Sequence, residues 1–404
     1  MILYDYVAKN TKTGQTVKAT LQAENEQGAA RLLQQQGLTP LEIKPSRKGG
    51  SARFSRIKAK DKVLFSRQLS TLINAGLPLV QCLQSVLNQT TNKALKVVIS
   101  QVIADVEAGS TLAKAMGRHP QVFNHVYMSL IEAGESSGTL DEALERLAVQ
   151  QEKDADTIGK LKGAMIYPII VLVVMLAVLT FMLIKVLPQV EVLYQGTPGA
   201  HLPAITQVML DLSHFVAKFW YIVILIIAAI AYSIYRFSKT KEGKRVFDRL
   251  AMKTPAIGSL FMRMYMARFS RTANTLVSAG VPIIQTLEIT SNAIDNVYIQ
   301  ESIAAAIEKV KAGKGLGVAL EGDPNFLELV PNMLKIGEQS GNMEQMLGKA
   351  ADYYEKELDN AIKNISTVIE PAMMVMMGIV ALIIVAAVLL PIYGLANQSS
   401  ITGS

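Results

Sequence analysis

The sequence predicts a mainly α-helical membrane protein: two similar six-helix bundles, three transmembrane helices and a small N-terminal α/β module. Three observations carry that prediction. The 404 residues are 50% apolar and only 18% charged, more apolar than an ordinary soluble chain. Three long windows hold no charged residue: 163–184 between Lys162 and Lys185, 219–235 between Lys218 and Arg236, and everything after Glu370. Finally, Phe65-Ser66-Arg67 through Ala75-Gly76-Leu77-Pro78 recurs 204 residues later as Phe269-Ser270-Arg271 through Ala279-Gly280-Val281-Pro282. Positions 65 to 83 match in 10 of 19 places, where composition alone gives about one, so the chain is an internal repeat with additions.

Residues 1–45 read as the α/β module. Leu3 to Ala8 and Gln15 to Ala23 alternate as strands, Glu24 to Gln36 has a helical pattern stopped by Gly37, and Thr39 to Ile43 suits a closing strand. So short a unit suits docking better than catalysis. A basic linker, 46–60, follows with Gly49, Gly50 and a run of Lys and Arg.

The first bundle, 61–162, opens with a helix that stops at Gly76, and Pro78 restarts the chain. Lys93 to Ala108 is amphipathic, a short helix lies near Leu112 to Met116, and Gly117 and Pro120 break the chain. A fifth helix covers Asn124 to Ala133, and Gly134 to Gly138 is read as its turn. Thr139 with Glu142 is read as a capping box for a sixth helix running toward the bilayer. The second bundle, 266–368, reproduces these marks: Gly313 answers Gly109, Pro324 answers Pro120, and Gly337-Glu338-Gln339-Ser340-Gly341 answers Gly134-Glu135-Ser136-Ser137-Gly138 at an offset of 203.

The expected spans are 163–187, 219–235 and 369–391. At 1.5 Å per residue the first uncharged window covers about 33 Å and the second about 26 Å, against roughly 30 Å of hydrocarbon. Trp220, Tyr221, Tyr232 and Tyr235 flank the short one as interfacial aromatics. Segment 188–218 holds a single basic residue, whereas 236–253 holds Arg236, Lys239, Lys241, Lys244, Arg245, Arg249 and Lys253. The positive-inside rule therefore puts 188–218 and the tail 392–404 outside, and the N-terminus, the connection 236–265 and both bundles in the cytoplasm. The middle span then returns the chain so that both bundles share one side. Met1 to Asn10 lacks a basic region followed by an apolar run, so no cleaved signal peptide is expected. The basic clusters suit anionic lipid; without interleaved aromatics they do not suit nucleic acid.

Several motifs invite chemistry and fail on their details. Gly134 to Gly138 matches a hydrolase G-x-S-x-G elbow, but the preceding segment is patterned as a helix and the second copy has Gln339 at the serine position. Gly313-Lys314-Gly315 lacks the first glycine and the hydroxyl of a phosphate loop. The four histidines form no i, i+4 pair, Cys82 is the single cysteine, and no carboxylate cluster demands a divalent cation. No catalytic residue, cofactor or metal is expected. Arg67, Arg271, Glu135 and Glu338 are the candidate polar framework, each Glu free to cap a helix or to pair with an Arg. Gly76, Pro78, Gly280 and Pro282 are expected to fix corners, and Glu370 and Pro371 to open the last span. A transporter subunit is disfavoured, because no charge lies at mid-bilayer.

The duplicated F-S-R to A-G-x-P segment, the duplicated G-E-x-S-G corner, and the Tyr167-Pro168/Leu187-Pro188 and Glu370-Pro371/Leu390-Pro391 brackets resemble the inner-membrane platform proteins of type IV pilus and type II secretion machines, the PilC/GspF family. The resemblance spans nearly the whole chain and favours the pilus branch. It implies a nonenzymatic, homo-oligomeric platform, a dimer or trimer. That platform would couple a hexameric cytoplasmic assembly ATPase to pilin subunits in the membrane, with pilus alignment proteins as further candidate partners. A type II secretion platform is the alternative.

Overall fold

The computed structural model describes residues 2–10, 16–23, 38–45, 57–189, 204–254 and 257–401, and isolated positions 26, 28, 30 and 192. Three strands open the chain: β1 (Ile2–Asn10), β2 (Thr16–Ala23) and β3 (Leu38–Pro45), antiparallel in the order β2-β1-β3. The helix expected over Glu24 to Gln36 lies mostly outside the described residues, as does most of the basic linker.

The first repeat contains α1 (Ala59–Asn74), α2 (Leu79–Gln89), α3 (Lys93–Glu107), α4 (Leu112–Gly117), α5 (His125–Ser137) and α6 (Leu140–Phe181). After α7 (Ala204–Ser238) and α8 (Lys241–Lys253), the second repeat contains α9 (Ile257–Ser278), α10 (Ile283–Ala293), α11 (Val297–Lys311), α12 (Leu316–Leu320), α13 (Leu329–Ser340) and α14 (Met343–Ile401). The same local chemistry starts the equivalent helices. Asn92 accepts from the backbone N–H groups of Ala94 and Leu95, and Asn296 from those of Tyr298 and Ile299, which satisfies amides that have no partner within the helix. The duplicated corner needs its glycines, because Gly76 has φ 80° and Gly280 φ 79°, a region costly for residues with a Cβ. Pro78 and Pro282 stand at the N-caps of α2 and α10.

Each repeat has its own apolar core. Phe65, Leu69, Leu83, Leu95, Ile99, Leu130 and Leu144 fill the first, with Cys82 among them, and Phe269, Leu287, Ile303, Leu320, Val330 and Leu347 fill the second. Fully buried leucines of this kind contribute about 1.5–3 kcal/mol each. The cores touch, because Leu276, Val281 and Ile289 of the second repeat pack into the first; α10 lies against α5, and α9 against α5 and α6.

Two local expectations need correction. Helix α5 does not end at Ala133; it runs through Gly134 to Ser137, and only Gly138 is left-handed, with φ 76°. Gly134 is required by close approach, since a Cβ there would sit 2.5 Å from the Ala143 Cβ, where α5 and α6 meet. Thr139 and Glu142 form no capping box: Thr139 has φ −109° and ψ 44° and caps no amide with its side chain. Its hydroxyl bonds Ser137 at 2.6 Å, while its N–H donates to the Gly134 carbonyl.

The sixth helix of each repeat does not stop at the bundle. Leu140–Gln189 and Met343–Leu389 contain 18-residue windows of mean hydropathy 3.0 and 2.9, long and apolar enough to cross a membrane. Pro168 and Pro371 lie within these helices and do not end them, and a π turn at Met182–Val186 follows α6. Between them, α7 is kinked at Phe219 (φ −116°, ψ 23°) and carries a shorter apolar stretch, Ile224–Ser238. It begins at Ala204, inside the segment read as an external loop, and α14 stays helical to Ile401, through most of the segment read as a tail.

Replacing Gly134 by Val is expected to cost about 1–3 kcal/mol through overpacking. Gly138→Ala, where no atom stands within 4 Å of the Cβ position, should cost only about 1–2 kcal/mol, from φ alone. Thermal unfolding of the full chain in detergent checks the pair, and equal stability of Gly134→Val and the parent chain would contradict the close approach.

Candidate functional site

The phenylalanine that precedes each repeated arginine points into a core, which leaves the arginine at the edge of α1 or α9, facing the long sixth helix. Arg67 donates from Nε and Nη2 to both oxygens of Glu152, at 2.6 and 2.5 Å, and from Nη1 to Glu145 at 2.7 Å. Ser70 donates to the other Glu145 oxygen at 2.7 Å. Arg271 repeats the arrangement on α14, with Nε 2.8 Å from Glu355 and Nη2 2.8 Å from Asp352. Glu152 and Glu355 are equivalent at the offset of 203, whereas the second carboxylate has moved one helical turn. Where the first repeat has Ser70 and Glu145, the second has Asn274 and Gly348, and the longer Asn side chain lies in ordinary contact with the Gly348 Cβ position, at 3.6 Å.

These contacts shift the acids in one direction. The Ser70 hydroxyl and then the Arg67 guanidinium hold Glu145 below the usual carboxylate range, and Arg67 does the same for Glu152. Arg67 is pushed up by Glu152 and Glu145. For Arg271 burial opposes the charge, but Asp352 and Glu355 together outweigh it and leave its pKa raised.

Glu135 and Glu338 do not meet the arginines. Glu135 accepts from the amides of Leu112 and Ala113, the latter at 2.9 Å, and Glu338 accepts from those of Leu316 and Gly317, the latter at 3.1 Å. Each therefore caps the short helix of its repeat, α4 or α12, where the free N–H groups favour an anion. This also accounts for Gly315, since a Cβ there would lie 2.8 Å from a Glu338 oxygen: the glycine admits a carboxylate of this chain. The described residues hold no group of three or more His, Cys, Asp or Glu placed for a metal ion. Glu370 is exposed on α14 and is followed by Pro371 where the apolar stretch begins.

The two long helices run side by side and in the same direction. Arg146 reaches Glu344 at 3.7 Å, Lys153 reaches Glu355 at 3.0 Å, and Lys160 reaches Asp359 at 2.8 Å. Below these ion pairs Leu161 and Ala164 of α6 pack with Leu260, Leu358 and Ile362. Beside them Lys153, Asp154, Arg268, Arg271 and Glu355 line a cavity of about 20 Å³, room for about one water. Burial raises Asp154, partly offset by Arg268 and by Gln150, whose amide nitrogen is 3.5 Å away. Further along, Ile170, Val174 and Val178 face Met377, Val380 and Ile384 across an apolar cleft of about 330 Å³.

This duplicated arrangement has a known counterpart. The family model described as type II secretion system protein F matches residues 65–188 and again 269–391, and the model of that protein's N-terminal domain matches 1–44. The chain belongs to the type II secretion system protein F family. It is 36% identical to the type IV pilus assembly protein PilC of Thermus thermophilus, over 99% of this chain and 100% of that protein. It is 34% identical to PilC of Pseudomonas aeruginosa, over 90% and 98%. Identity to the type II secretion system protein F of Vibrio cholerae is 32%, over 99% and 100%.

The two family-F matches begin at Phe65 and Phe269 and end at Pro188 and Pro391, so each unit joins a bundle to its long helix. Sequence reasoning singled out Arg67 and Arg271 but missed Glu145, Glu152, Asp352 and Glu355. Carrying the 203 offset beyond the corner into the sixth helix aligns Glu152 with Glu355 and was the available signal.

Because Glu145 and Glu152 titrate lower folded than unfolded, their contribution is complete above about pH 4.5 and is lost as pH falls through the folded values. Thermal stability should therefore drop on acidification below about pH 4.5, and Arg67→Met should flatten that slope while costing about 1 kcal/mol at neutral pH. A slope unchanged by Arg67→Met would contradict the assignment. Asp154 has the opposite sign: its burial penalty at neutral pH is relieved as pH falls through its raised value. Asp154→Asn should raise the melting temperature at pH 7–8, with the gain shrinking toward pH 4; a constant gain would point to packing instead.

Proposed function

We propose that this family-F chain is an inner-membrane platform of a type IV pilus assembly machine, coupling a cytoplasmic assembly ATPase to insertion of membrane pilins into the growing fibre. The observation that carries this reading is mechanical. Helices α6 and α14 leave the two bundles without interruption, lie parallel, and are tied by Arg67 and Arg271 to the first helix of each bundle. A displacement of a bundle is thus passed along rigid elements to bilayer depth. At 1.5 Å per residue α14 is about 90 Å long, well beyond the roughly 30 Å of hydrocarbon.

The parallel order of the ion pairs also supports a third crossing. After α6 crosses, the chain must return before α14 can cross in the same direction, and α7 is the apolar helix that lies between. The charge asymmetry of the connecting segments then favours both bundles and the N-terminus in the cytoplasm. The basic residues of α8 suit the anionic surface beside the returning span. Full-length similarity to the Vibrio cholerae type II secretion protein F keeps a secretion platform as the second reading, with the same physics and a different fibre.

A clean deletion is expected to abolish surface pili and to leave secreted enzymes unaffected; the reverse result selects the secretion reading. Crosslinkers placed on the bundles should capture the assembly ATPase in cells. Charge reversal by Arg271→Glu should impair piliation while Arg271→Lys is milder, and wild-type piliation of Arg271→Glu at normal protein level would count against the framework.

A further inference from the structure

The sixth helices carry the same two charge stripes, and each helix meets the other through only one of them. On α6 the basic residues Arg146, Lys153 and Lys160 stand seven apart, and the offset of 203 maps them onto Lys349, Lys356 and Lys363 of α14. Their acidic partners on α14, Glu344, Glu355 and Asp359, map back onto Asp141, Glu152 and Asp156 of α6. A contact with two-fold pseudosymmetry would be reciprocal and would pair Lys356 with Glu152 as Lys153 pairs with Glu355. It is not reciprocal: Lys349, Lys356 and Lys363 are exposed and join no ion pair among the described residues. The basic face of the first repeat meets the acidic face of the second in a head-to-tail sense, and such contacts leave a complementary face at each end.

Two details show how the open faces would be filled. Glu355 is held from its own repeat by Arg271 and from the other by Lys153. Glu152 is held from its own repeat by Arg67 and has no lysine from the other repeat among the described residues, and Asp156 pairs with Lys160 of its own helix. On the same face of α6, Gly159 and Gly163 have nothing within 4 Å of their Cβ positions, which leaves room for a helix to approach closely. The angle between the stripes sets the number of helices. At about 100° per residue, the acidic set centres about 90° from the basic set on α6 and on α14 alike. A ring of helices whose two neighbours lie about 90° apart has four members, and each chain supplies two.

We propose that two copies of this chain join through these open faces. Lys349, Lys356 and Lys363 of each copy meet Asp141, Glu152 and Asp156 of the other, and the stalks form a four-helix ring α6-α14-α6-α14 around a two-fold axis along the stalk. The stripes add register and selectivity, and the apolar and small residues between them add contact area. The arrangement does not depend on which fibre the machine builds.

The test uses full-length chains with two different tags, coexpressed and kept in membranes. One carries Lys363→Cys or Lys349→Cys, the other Asp156→Cys or Asp141→Cys, and a short bis-maleimide is added; Cys82 is buried and stays silent. The matched pairs, 363 with 156 and 349 with 141, should give a product of two chain masses bearing both tags. Lys363→Asp should lower the yield at the 349 and 141 pair by roughly two- to fivefold, and Asp156→Lys in the other copy should restore it. Lys160→Cys with Asp359→Cys, linked within one chain, reports that the stalk is folded. Linkage of that control without linkage of the matched pairs overturns the proposal. So does a mass of one or three chains for the purified protein in detergent, where two are expected.

Discussion

Three helices depend on the carboxylate of Glu355. Arg271 ties it to α9, Lys153 ties it to α6, and its own backbone belongs to α14. Ion pairs that face water contribute about 0–1 kcal/mol each, so this knot is not what keeps the bundles folded; the two leucine- and phenylalanine-rich cores are. What the knot specifies is register. Sliding α6 against α14 by one turn, about 5.4 Å, would break the three ion pairs together, whereas Arg271, whose partners Asp352 and Glu355 both lie on α14, would keep them. Because the three pairs share one register and break in concert, the alignment of the two repeats is held more firmly than the energy of any single pair suggests.

Duplication followed by divergence is visible in how the second copy rearranged its polar contacts. Ser66 bonds the Tyr127 hydroxyl at 3.3 Å, while the second repeat has Val330 in the aligned position and the hydroxyl of the equivalent Ser270 has no partner among the described residues. With Asn274 Oδ1 and Ser278 Oγ it makes a row of unsatisfied polar atoms along α9 at a spacing of four. Such atoms cost about 1–3 kcal/mol each when truly dry. The second copy accepts that cost alongside a different gain: α9 runs from Ile257, six residues earlier in the repeat than the start of α1, and Leu260 on that extension packs against Leu358 and Ile362 of α14. One repeat is better satisfied within its bundle, and the other is better braced against its stalk.

Much of this was legible in the sequence because repetition multiplies weak signals. A lone Gly76 or Pro78 says little, but the same pair at Gly280 and Pro282 marks a corner that the backbone must turn, and the left-handed φ values agree. The charge-free windows likewise identified α6 and α14 as long apolar helices. Partnerships were not legible in the same way. Glu135 and Arg67 are both repeated, and repetition alone made them look like one framework; in three dimensions each finds a nearer target, an unpaired helix N-terminus for Glu135 and a sixth-helix carboxylate for Arg67. The G-E-x-S-G corner misled for a related reason. A glycine that permits close helix contact and a glycine that permits positive φ look alike in sequence, and only the packing of Ala143 against Gly134 separates them.

The head-to-tail pairing of the stalks has a consequence for how motion could pass through such an assembly. In an isologous pair the two helices answer a twist equally, and each contact is opposed by its mirror. Here the basic face of α6 leads and the acidic face of α14 follows, so a rotation of one helix carries its charged stripe away from one neighbour and toward the other. Contacts of this polarity couple the turning of adjacent helices without setting its sense, since an ion pair gained on the approached side matches the one lost on the other. The Arg67 and Arg271 anchors make that turning a movement of whole bundles, because neither sixth helix can rotate about its own axis without dragging α1 or α9 with it.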